Sequence, residues 1–148
     1  MTLENLLHIG KLKSHKPSQA EIQRLLAAAR RNLKDAEYAE ISPESRFDIA
    51  YKAVMQCALL AMLMQGFRPS TNEPGHHAIV IQSLPKTLGI PSQDMLVLDK
   101  LRKKRNLSDY SGESVSEAES DACIRAARKL IAAVEALLRT RIPGALEK

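Results

Sequence analysis

Five basic residues, Lys100, Arg102, Lys103, Lys104 and Arg105, fall within six positions, and the run then gives way to Asn106, Ser108, Asp109 and Tyr110. A guanidinium, an amide, a carboxylate and a phenol therefore lie within about two turns of one helix. The forked donors of an arginine match two phosphate oxygens at once, so the set suits a nucleotide or an RNA backbone. The same spacing allows an internal network instead, because Asp109 lies one turn beyond Arg105 and can neutralise it. Both readings stay open on these residues alone.

The element that must position them begins near Ser92. On a helical period Val97, Leu98 and Leu101 form an inward stripe whose next position is Arg105. An arginine where the pattern asks for a leucine needs a partner, because an unpaired buried charge is very costly. A carboxylate inside the fold or a ligand in a groove would each serve. Lys103 and Lys104 fall off the stripe and are expected to face water.

The other elements are read from caps and periodicity. Thr2 to Ile9 suits a short helix ended by Gly10, and Lys11 to Pro17 reads as a basic connector or arm. Ser18-Gln19-Ala20-Glu21 is a capping box opening a helix to about Tyr38, with Ile22, Leu25, Leu26, Ala29, Leu33 and Ala36 inward. Ser42-Pro43-Glu44 opens the next helix. Its second half, from Val54 to Met64, is apolar nearly all round, so it is either central or paired with another subunit. Gly66 stops it, and Phe67 to Gly75 reads as loop. His76 and His77 begin a helix carrying Ile79, Val80, Ile81 and Leu84. Adjacent histidines point about 100° apart on a helix and make no metal pair together, so capping or packing is their simplest role and facing a ligand the other. Pro85 to Pro91 is a break. A second capping box, Ser116 to Glu119, opens a last helix with Ala122, Ala126, Leu130, Ala133, Val134 and Leu137 inward, and Pro143-Gly144 ends it.

Four main helices plus a shorter one, with no run of period-two alternation, predict an all-α antiparallel up-and-down bundle. The expected division is 1–17 as arm or short helix, 18–142 as the bundle and 143–148 as a tail. With 148 residues, 45% hydrophobic and only 3% aromatic, the chain can bury one core built from small and aliphatic side chains. A net charge of +5 permits an anionic partner without requiring one. Cys57 and Cys123 lie apart in apolar segments, as buried thiols in a reducing cytoplasm would. The N-terminus lacks the order of a signal peptide, and the run Ala53 to Met64 is short for a bilayer and carries Gln56. The sequence holds no Gly-rich phosphate loop, no zinc-spaced cysteine pair and no nucleophile elbow, so no metal or cofactor is expected.

The segment from Leu98 to Tyr110, with the Ser-Glu-rich turn and Ala-rich helix after it, resembles the HEPN domain (higher eukaryotes and prokaryotes nucleotide-binding). Arg46 to Ala53 and Gly75-His76-His77 fit the same family, and the similarity covers about Ser18 to Leu138. The resemblance implies a helical bundle that usually forms a homodimer, and a role with RNA, a nucleotide, or a nucleotidyltransferase or antitoxin partner. Many members are metal-independent ribonuclease toxins using an arginine, a polar residue and a histidine, the histidine handling the 2′-hydroxyl proton. Arg105 and Asn106 match the first two, but Tyr110 stands at the histidine position. A phenol, with a reference pKa of about 10, is a poor general base at neutral pH. The expectation is therefore a non-catalytic binding or regulatory subunit with Arg102, Arg105, Asn106, Asp109, Tyr110, His76 and His77 as ligand-binding candidates. The alternatives are a ribonuclease using Arg105, Asn106 and Tyr110, helped by His76 or His77, and a purely structural helical interaction module.

Overall fold

The computed structural model describes residues 2–71 and 75–142. Among them it contains seven helices and one two-stranded sheet: α1 (Leu3–His8), β1 (Leu12–Ser14), α2 (Gln19–Ala36), α3 (Pro43–Met64), β2 (Phe67–Pro69), α4 (His76–Gln82), α5 (Leu84–Thr87), α6 (Ser92–Ser111) and α7 (Glu117–Arg141). The expected all-α bundle is the architecture found. The proposed stop at Pro143-Gly144, the tail 143–148 and part of the loop before Gly75 lie outside the described residues.

Local signals set the long helices. The hydroxyls of Ser18, Ser42 and Ser116 each accept the backbone N–H three residues on, and Ser116 with Glu119 closes a full capping box. Cross-helix bonds fix the directions. Arg46 Nε donates to the Ala36 carbonyl and Asn32 donates to Gln56, so α2 and α3 are antiparallel. Arg30 pairs with Glu135 and Arg128 with Glu37, so α2 and α7 are antiparallel too. The Cys123 thiol donates to the Phe47 carbonyl and Arg141 to the Met64 carbonyl, which runs α7 parallel to α3.

α3 is the central element. Its buried set, from Phe47 through Leu63, packs against α2 on one side and α7 on another, with α4, α5 and α6 covering its remaining flank. That answers the question raised by its all-round apolar second half: its own chain covers most of it. By length and a mean hydropathy of 1.4, α3 would also suffice to cross a membrane, and 61% of that window is buried within the fold.

Several expectations are corrected. The connector after Gly10 forms β1, which pairs antiparallel with β2, with Leu12 opposite Pro69 and Ser14 opposite Phe67. The segment Phe67–Pro69, read as loop, is thus a strand, too short to carry a period. Leu12 is 1% exposed, so the arm is part of the core rather than laid on it. The turn α5 occupies part of the Pro85–Pro91 break, with Pro85 in the first turn where its missing N–H costs nothing. In α7 the buried stripe is Cys123, Ile124, Ala127, Leu130, Ile131, Val134 and Leu138. It is rotated by about one position from the expected one, because the branched side chains bury more surface than the alanines beside them.

Candidate functional site

The site is built on α6. Leu98 and Leu101 anchor its inner face, while Val97, expected beside them, is 52% exposed and lines a second, smaller groove between α6 and α7. Asp99 is also buried, and it is satisfied from several sides. Arg102 Nε donates to it at 2.8 Å, Lys103 lies 3.7 Å away, and a side-chain hydrogen bond links it to Gln82 of α4. Burial alone would raise the Asp99 carboxyl, but Arg102 and Lys103 outweigh it and hold it below the usual carboxylate range. The far end of α6 is tied by Lys104, which reaches Glu113 at 3.0 Å and Glu119 at 3.4 Å. Lys104 was expected in water; its side chain is only 17% exposed because it bridges to the start of α7. Gly112, at φ 67, takes the left-handed step that ends the helix.

Between these ties Arg105 leaves the stripe and faces a groove. Its guanidinium lies 5.5 Å from the centroid of the Tyr51 ring, within cation–π range. Nε is 2.9 Å from the Asp109 carboxylate and 3.7 Å from that of Asp48, yet the N–H is not aligned on any acceptor. The side chain is 30% exposed, so the arginine is steered by two carboxylates without being sealed from solvent. Tyr51 is buried, its hydroxyl has no hydrogen-bond partner, and burial pushes its pKa up to about 12 despite Arg105 and Arg102 nearby.

The groove has a volume of about 660 Å³ and is walled by α2, α3, β2, α4 and α6. Leu25, Met55, Leu59, Leu63 and Val80 give it an apolar floor. Arg24, Lys52, Arg68 and Arg105 supply positive charge around it, against Glu21 and Asp48. Glu21 is already engaged by His15 of the N-terminal arm at 2.9 Å. His76 and His77 line the same groove, their rings edge to face with centroids 4.7 Å apart. Burial lowers the His77 pKa, and the neighbouring His76, Arg105 and Arg102 lower it further, which biases this imidazole toward its neutral form.

Of the candidates read from the sequence, Arg105, His76 and His77 share this groove; Arg102, Asn106, Asp109 and Tyr110 are not among its lining residues. Arg102 is occupied by Asp99, Asp109 holds Arg105 from one side, Asn106 is half-buried, and Tyr110 is 83% exposed. Arg24, Asp48, Tyr51, Lys52 and Arg68 belong to the groove and were not foreseen. They come from three other elements, and no local spacing joins them to Arg105. Among the described residues no cluster of His, Cys, Asp and Glu could hold a metal ion.

With the groove in view, the family comparison is decisive: the model of the HEPN domain matches residues 22–137, most of the chain. The chain belongs to the HEPN domain family. The match begins inside α2 and ends inside α7, so it spans every groove-lining residue except Glu21. No curated protein and no solved structure matches the chain significantly. Membership makes this HEPN chain a helical-domain protein of the nucleotide- and RNA-related class.

Proposed function

We propose that the protein is a binding or regulatory HEPN subunit whose groove holds the phosphate of a nucleotide or of single-stranded RNA, with Arg105 as the anchor. One observation carries this reading: Arg105 is oriented by Asp109, Asp48 and Tyr51 while remaining open to a cleft with Arg24, Lys52 and Arg68 on its walls. A pre-set guanidinium loses little freedom on binding and matches phosphate in a bidentate way. The subunit works in the cytoplasm as a homodimer, beside a nucleotidyltransferase or antitoxin partner. Tyr110 stands where catalysis in this family calls for an imidazole, which favours binding over cleavage.

A specific observation supports the competing ribonuclease reading: His77, biased toward its neutral form, lines the groove that holds Arg105, where a neutral imidazole can accept a proton. One experiment separates the two. Purified protein is titrated at low salt into labelled single-stranded RNA and into a nucleoside monophosphate, and the RNA is then run on a denaturing gel. Binding with intact RNA is expected, and Arg105→Ala weakens it by about ten-fold or more, as loss of a charge-assisted contact would. RNA cut by the wild type but not by Arg105→Ala or His77→Ala would replace the binding reading with the nuclease one. No binding to either ligand would sink the first.

A further inference from the structure

The groove is not a simple anion cradle. Arg24 and Lys52 are exposed at its edge, whereas the aliphatic lining from α2, α3 and α4 is buried or half-buried and makes its floor. An inorganic phosphate at Arg105 would leave that floor wet. A strand running along the cations would likewise leave it uncovered if every base stayed stacked outside. The lining groups point to what covers it. Met55 brings a polarizable thioether that packs well against aromatic rings. His76 and His77, set nearly at right angles, cannot both lie parallel to one plane, so one ring stacks and the other meets an edge. Gln56 lines the same wall, and its side-chain oxygen accepts from Asn32 at 2.8 Å, which leaves the amide N–H pair as donors there.

Resting on the phosphate reading above, we infer that the groove takes one unpaired nucleobase on the floor formed by Met55, Leu59 and Val80, with the attached phosphate at Arg105. The ligand is then a nucleoside monophosphate unit, either free or at the end of a single strand. Its base is fixed by dispersion against the floor and by the Gln56 amide, and its charge by the rim. Stacking and apolar contact accept any base shape, while the amide donors favour an edge that presents acceptors.

The test uses the full chain and three probes: adenosine monophosphate, ribose 5-phosphate and a short 5′-phosphorylated single-stranded RNA. Titration calorimetry gives the affinities of the wild type, Leu59→Trp, Met55→Trp and Arg105→Ala, with circular dichroism and thermal melts checking each fold. The monophosphate is expected to bind at least about ten-fold tighter than ribose 5-phosphate. A tryptophan at residue 59 or 55 fills the floor, and either folded variant should lose that advantage while keeping ribose 5-phosphate affinity. Tighter binding of the strand than of the free nucleotide makes a strand end the source; the reverse makes it the free nucleotide, and the base site stands in both cases. Equal affinity for the monophosphate and ribose 5-phosphate would overturn the base site while leaving the anion groove intact. Failure of all three probes to bind, or an unchanged Arg105→Ala, would overturn the underlying reading as well.

Discussion

Arg105 is shared between carboxylates and open solvent, and that balance is adjustable. Asp48 lies 3.7 Å from its Nε and is more than half exposed, so it competes with any incoming phosphate at modest strength. Asp48→Asn should raise the affinity for an anionic ligand by about two- to five-fold, read from titrations at fixed low salt. A lower affinity in a well-folded Asp48→Asn would mean that Asp48 orients the guanidinium more than it blocks it. His77 carries a pH signature of its own. Its folded-state pKa is depressed, first by burial and then by His76, Arg105 and Arg102, so the unfolded chain binds the proton more readily. Stability is therefore undiminished above about pH 6.5 and falls as the pH drops through that value toward the lower folded pKa. Urea melts between pH 7.5 and 5 should show this slope, and His77→Gln should flatten it.

At the scale of elements, the caps are what made the fold legible. Ser18, Ser42 and Ser116 announce α2, α3 and α7 because a hydroxyl reaching a backbone N–H three residues on is a purely local bond. Ser116→Ala removes one half of the capping box that starts α7 and should cost about 1 kcal/mol in urea denaturation, with Glu119→Ala costing a comparable amount. Which face of a helix turns inward was less legible. In α7 the expected and observed stripes are both apolar and lie about one position apart, and the larger branched side chains decide between them when α7 packs on α3. Val97 failed for a related reason: it faces the groove that Ile90, Ala122 and Ala126 also line, and stays half exposed there. Of the site, Arg105 was readable as a misfit in a hydrophobic stripe. Its companions were not, because Asp48 and Tyr51 reach it, and Arg68 joins its groove, only once α3 and β2 are packed.

On the scale of the whole molecule, the N-terminal arm lies outside the family match yet braces two walls of the groove. It contributes β1 beside the strand that carries Arg68, and His15 holds Glu21 on the groove wall. Leu12→Ala should destabilise the fold by about 2–4 kcal/mol, since a nearly inaccessible leucine leaves a cavity behind. Ligand affinity should fall with it if the ribbon is what steadies Arg68, and equilibrium unfolding alongside titration would check both. A cost below about 0.5 kcal/mol would show that the arm is dispensable to the core. The pairing also imposes an order on chain growth. Leu12 is made early and has no strand to join until Phe67–Pro69 has followed α2 and α3 out of the ribosome. A fragment truncated before residue 67 would carry an orphaned leucine and half a ribbon, so such nascent chains are the ones most exposed to sticking to one another.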